Sequence, residues 1–252
     1  MTEFLDLGTP VLAACAAAML AGGLVKGVVG IGLPLVALPI MANFIPIPKA
    51  IALLILSSFA TSVWQSADGG LFTPSVKRFW PLLIGIAVGV AISVKALATF
   101  DVKLLYLILG AIVTIFASLL HRQLVFPVTP RAERWAAPLT GVVAGLIGGL
   151  SMLFGPIYAV YLSGLRLGKE SFVAAISLFN VWATIVLAAA MAKYSLFGGA
   201  DLVASLFALI PSSVGVLLGT KLRHRINEDA FRKALAVVLF LIGLNLVRRA
   251  FA

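Results

Sequence analysis

Two apolar stretches of this chain are interrupted by glycine and proline at matching places. The first reads Gly23-Leu-Val-Lys-Gly27-Val-Val-Gly30-Ile-Gly32-Leu-Pro34 and runs on to Pro39. The second reads Gly141-Val-Val-Ala-Gly145-Leu-Ile-Gly148-Gly149-Leu-Ser151 and runs on to Pro156. The three leading glycines recur at a fixed offset of 118 residues. Both stretches are otherwise apolar enough for hydrocarbon. In lipid a backbone must satisfy its own hydrogen bonds, so an apolar run defaults to helix. Glycine followed by proline then marks where that helix comes apart. Paired interruptions in two halves of a membrane chain point to broken helices, and broken helices frame binding sites.

Composition agrees with a bilayer as solvent. The chain is 62% hydrophobic and 11% charged, with a mean hydropathy of +1.14. No soluble fold of 252 residues buries that much apolar surface. The net charge of +10 does not indicate a nucleic-acid partner. The Lys and Arg residues fall in short loops between apolar runs, where membrane insertion favours them. Cys15 is the single cysteine, so neither a disulfide framework nor a cysteine metal site is expected. Leu12-Ala13-Ala14-Cys15 resembles a lipidation box, but Glu3 and Asp6 precede it where a signal segment needs basic residues. Cys15 therefore reads as a small residue inside the first span.

Eight apolar runs have spanning length, near residues 10–31, 50–67, 79–99, 103–121, 136–163, 170–192, 201–220 and 230–250. Each holds the ~20 residues that cross ~30 Å as a helix. Leu33 to Phe44 is too short to cross and reads as the second half of a broken or re-entrant helix. The longest polar stretch, His121 to Pro138, lies near mid-chain, where a linker between repeats belongs. The fold class expected is an all-α polytopic membrane protein with two four-helix repeats, 1–126 and 127–252, whose first helices are broken. Further matches extend the duplication: Lys49 and Ser57 with Lys169 and Ser177 at offset 120, Gly89 and Lys95 with Gly215 and Lys221 at offset 126. The basic Lys95–Lys103 and Lys221–Arg225 loops would share a face if the halves are parallel.

On these motifs the chain resembles the TauE/SafE (TSUP) family of sulfite and sulfonate exporters. That family's repeat opens with G-x-x-x-G-x-x-G-x-G leading to proline, matched here by Gly23, Gly27, Gly30, Gly32 and Pro39. It is matched more weakly by Gly141, Gly145, Gly148, Gly149 and Pro156. Leu33-Pro34 and Lys26 depart from the commoner pattern, which has a third glycine and a small residue there. The resemblance implies a bacterial inner-membrane carrier for sulfur-containing or related organic anions.

A helix restarted at Pro34 presents a fresh N-terminus inside the membrane. Proline suits the first turn, and the free N–H groups and dipole there favour an anion. Gly27, Gly30, Gly32, Gly148 and Gly149 would let backbone approach a ligand, with tight helix packing as the competing use. Ser151 falls near the matching place as an N-cap. Lys26 is the basic residue well inside an apolar run, an expensive position that suits a site; snorkelling to an interface is the alternative. Ser58 belongs to a polar stripe on the second span. Ser177, Asn180 and Thr184 share one face of the sixth. Tyr158 completes the candidate set, with Tyr161 beside it. All nine acidic residues lie at termini, loops or span ends. No P-loop, H-E-x-x-H or G-x-S-x-G occurs.

These residues predict a secondary transporter of small anions working by alternating access, and not an enzyme. The alternatives are a passive anion channel and a non-transport membrane enzyme or assembly protein. No cofactor and no metal are implied. The partners expected are a small anionic substrate and the lipid bilayer, with a homodimer allowed. Export of a monoanion needs no coupling carboxylate, because an inside-negative potential contributes ~2.3 kcal/mol per 100 mV.

Overall fold

The computed structural model describes residues 8–29, 32–67, 72–119, 128–165, 167–223, 225 and 228–251. Its elements are α1 (Thr9–Val29), α2 (Leu33–Met41), α3 (Ile47–Ala67), α4 (Phe72–Thr99) and α5 (Val102–Leu119), then α6 (Pro130–Ser151), α7 (Gly155–Gly164), α8 (Lys169–Lys193), α9 (Gly199–Leu222) and α10 (Glu228–Phe251). Among the described residues there is no strand. Among the described residues seven helices, α1, α3, α4, α5, α8, α9 and α10, are long and apolar enough to cross a membrane. Large apolar side chains such as Phe207 and Ile210 stand outward at 67% and 64% exposure, the surface a lipid solvent allows and water does not. The run 136–163, expected as an eighth span, is divided between α6 and α7.

The chain forms two compact units. One comprises Met1–Ser57, Thr99–Gln123 and Ser195–Ala252; the other comprises Ser58–Ala98 and Leu124–Tyr194. Each unit draws helices from both halves of the sequence.

In the first unit α1 packs on α9 with backbone against backbone. A β-carbon on Gly23 would fall on the carbonyl oxygen of Ser212, and one on Gly27 on that of Val216. Conversely, Gly215 and Gly219 face the carbonyls of Leu20 and Leu24. The contacts advance together along both helices, so the pair is parallel. The second unit repeats the device. Gly85 and Gly89 on α4 meet the carbonyls of Pro138 and Val142 on α6, while Gly141 and Gly145 meet those of Leu82 and Ile86. Small residues four apart let the backbones touch, and this close packing is what holds helices together in lipid.

This geometry corrects the repeat alignment. The expected match of Gly89 with Gly215 is out by one helical turn. Gly85 and Gly89 occupy the places of Gly215 and Gly219, at an offset of 130, and Pro81 inside α4 then matches Pro211 inside α9. Both helices read Pro-x-x-x-Gly-x-x-x-Gly. A four-residue slip preserves helical face, so apolar pattern alone could not detect it.

The first break folds back on itself. Gly32 stands at φ 118°, ψ 14° as the N-cap of α2, with Pro34 in the first turn. That left-handed conformation suits glycine. A β-carbon on Gly22 would lie 3.0 Å from Ala37 Cβ. Continued in line, those residues would stand about 22 Å apart at 1.5 Å per residue. α1 and α2 therefore form a hairpin. The expectation was a fresh N-terminus inside the membrane. Instead α1, with 21 residues, already has the crossing length of about 30 Å, and α2 returns along it.

Candidate functional site

Lys26 lies in the last turn of α1, four residues before Gly30, which is outside the described residues. It is only 6% exposed, so its side chain does not reach the surface by snorkelling. The helix end helps to hold the charge, because the carbonyl end of a helix dipole favours a cation. The position related to Lys26 by the 118-residue repeat is Ala144, which is fully buried. One break carries a charge and the other does not. Gly27, beside Lys26, has a defined structural use: its missing side chain admits α9.

The second break is a turn at Met152, whose φ of 54° is left-handed and whose N–H bonds to the carbonyl of Gly148. Ser151 does not cap α7. It is the last residue of α6; its Oγ donates to the Ile147 carbonyl at 2.7 Å and accepts from Leu153 N–H at 3.3 Å. Phe154 stands at the N-cap of α7 with no side-chain cap bond, and Pro156 is in the first turn. Gly148 makes room for the Phe154 ring, and Gly149 for Ser93 Oγ. Ser93 was not foreseen. Its hydroxyl donates to the carbonyls of Val90 and Gly145, each at 3.1 Å, and so ties α4 to α6.

Around this break the second unit holds an aromatic cluster. The Phe179 ring meets those of Tyr158 and Phe79 edge-on, each at 5.2 Å between centroids. Phe154 stacks on Tyr158 at 6.2 Å, and Tyr161 meets Phe79 at 6.5 Å. Tyr158 and Tyr161 are one turn apart and share a face of α7. Both are buried, and neither hydroxyl has a hydrogen-bond partner among the described residues. The same holds for Ser58 on α3 and Ser177 on α8. A buried hydroxyl left unpaired costs about 1–3 kcal/mol. Four in one unit therefore stand out as donors available to a ligand. Thr184 differs, because its hydroxyl is used within α8 on the Asn180 carbonyl at 2.7 Å. Asn180 itself is partly buried on that face.

The sequence-predicted residues thus fall into two groups. Lys26, Gly27, Gly32 and Pro34 belong to the first unit; Ser58, Gly148, Gly149, Ser151, Tyr158, Ser177 and Asn180 belong to the second. Among the described residues no group of His, Cys, Asp or Glu is placed to hold a metal ion.

A family model with the description "Sulfite exporter TauE/SafE" matches residues 14–246. The chain belongs to the TauE/SafE family. The match covers nearly the whole chain and all ten described helices in whole or in part. TauE/SafE proteins are membrane transporters, and the apolar helices of this one are those of a membrane protein. No curated protein and no solved structure matches the chain.

In this TauE/SafE chain the long-range partners of several polar residues escaped sequence reading. Arg78 and Glu133 form a two-point ion pair, Nε to Oε1 at 2.9 Å and Nη2 to Oε2 at 3.1 Å. Lys49 and Asp201 pair at 3.5 Å. Trp182 donates its indole N–H to the Leu83 carbonyl at 2.8 Å. Each joins residues far apart in the chain, and no local pattern announces such a partner.

Proposed function

We propose that the protein exports a small sulfur-oxo or sulfonate monoanion across the bacterial inner membrane by alternating access. The observation that carries this reading is the burial of Lys26 at the end of α1. Burying a charged side chain in a membrane helix is costly, and such residues are retained where they serve a pathway. In the first unit an ammonium can neutralise one negative charge; in the second, taken by itself, the hydroxyls of Ser58, Tyr158, Tyr161 and Ser177 are neutral donors suited to anion oxygens. Glycine and proline at both breaks supply the points about which the short helices can turn. The membrane potential favours outward movement of a monoanion.

Proteoliposome flux tests the proposal. Purified protein is expected to release trapped sulfite or a sulfonate in response to an inside-negative potential, with saturation and counterflow. Unsaturable flux without counterflow would favour a passive channel. Voltage-dependent flux that survives Lys26→Ala unchanged would remove Lys26 from the site.

A further inference from the structure

The far end of the re-entrant helix is held by side chains from two distant helices. α2 closes in a turn of residues 42–46, whose backbone N–H groups take the carbonyls of Leu38, Ile40 and Met41, so the carbonyls of Ala42 and Asn43 just past the helix are the ones met from elsewhere. Arg249, in the last turn of α10, donates from Nη1 to the carbonyls of Asn43 at 2.9 Å and Ala42 at 3.3 Å. The Tyr106 hydroxyl on α5 donates to the same Ala42 carbonyl at 3.1 Å. The Arg249 guanidinium lies over the Tyr106 ring at 6.0 Å, so one residue orients the other. Asn245, one turn earlier on α10, donates to Asn43 Oδ1 at 2.9 Å, and Asn43 Nδ2 donates back to the Pro39 carbonyl at 2.8 Å. A cation belongs at the carbonyl end of a helix, and here it reaches two carbonyls.

The two ends of α2 are therefore unlike. At its start stands Gly32 in a left-handed conformation, with no side-chain cap. At its end four side chains converge. We propose that Arg249, with Tyr106, Asn43 and Asn245, is a positioning clamp that pins the C-terminal end of α2, so that movement of the re-entrant helix is confined to its Gly32 end. The clamp makes α2 a lever with one fixed end, and its integrity sets the rate of transport without touching the substrate. The link to rate rests on the transport reading; the clamp itself does not.

Hydrogen exchange and flux on the full-length protein test the two parts separately. Arg249→Ala is expected to raise amide exchange across residues 33–46 about tenfold, while the α4–α6 pair keeps wild-type protection. Arg249→Lys, which keeps a cation within reach of the carbonyls, should restore most of the protection. Tyr106→Phe, which removes one hydroxyl, should give a smaller change in the same segment. In proteoliposomes Arg249→Ala should lower maximal flux several-fold with KM little changed, and Arg249→Lys should recover it. Unchanged exchange over 33–46 in both Arg249→Ala and Tyr106→Phe would overturn the clamp. So would a loss of protection spread evenly over all helices. Local loosening with wild-type flux would overturn the link to transport. A wild-type protein that moves no anion would defeat the transport reading, while the exchange data would still judge the clamp.

Discussion

A β-carbon placed on Gly89 would lie 2.9 Å from the α-carbon of Gly145. The two glycines mark where α4 and α6 cross with no side chain between them, and Gly27 with Gly219 mark the matching crossing of α1 and α9.

Valine at position 89 must push these backbones apart. Gly89→Val is expected to destabilise the protein by about 3 kcal/mol, the upper end of overpacking costs. Gly199→Ala is the control, because nothing lies within 4 Å of a β-carbon there. Thermal unfolding in detergent should show a clear fall in Tm for the first and none for the second. Equal Tm values would mean that the crossing has slack.

Lys26→Met separates function from fold. Methionine fills similar volume, and removing a buried charge from a span carries no hydrophobic loss. Stability should fall by less than the ~3–5 kcal/mol that breaking a structural buried pair costs. A lost charge-assisted hydrogen bond is worth about 1.5–3 kcal/mol, so anion flux should fall by roughly ten- to a hundredfold. A variant that melts far below wild type would assign Lys26 to the fold instead.

The unpartnered hydroxyls make a prediction of opposite sign to the usual one. Tyr158→Phe and Ser177→Ala remove groups that bond to nothing among the described residues, so neither should lower Tm. Trp182→Phe removes a 2.8 Å bond to the Leu83 carbonyl and should cost about 1 kcal/mol. The stabilisation that sulfite confers on wild type in a thermal-shift titration should shrink in Tyr158→Phe and Ser177→Ala. If it persists in both, those hydroxyls do not meet the anion.

The Arg78–Glu133 pair should matter little. Its side chains are 47% and 23% exposed, and exposed pairs contribute less than about 1 kcal/mol. Glu133→Gln should shift Tm slightly at low salt and less at high salt, since ions screen what remains. A large, salt-independent loss would show that the pair is structurally dominant.

Much of the architecture was legible in the residues. Gly32-Leu33-Pro34 located the first break because a left-handed glycine and a proline act within a few positions of themselves. The short segment after it was recognisable because it is apolar yet cannot cross. Ser151 was misread as a cap for the same local reason: serine near a restart suggests an N-cap, but the turn at Met152 put it on the preceding helix. The slip from offset 130 to 126 arose because small residues spaced four apart match themselves at every turn.

The sequence by itself determined that the chain is helical, lives in lipid and breaks twice, since backbone satisfaction in hydrocarbon and the stereochemistry of glycine and proline are local matters. Only the tertiary structure decided that α2 turns back along α1, that each first helix packs on a fourth helix from the other half, and that Arg249 closes over Asn43. Those outcomes depend on which surfaces fit when residues up to 207 positions apart meet, and no short window of sequence contains both partners.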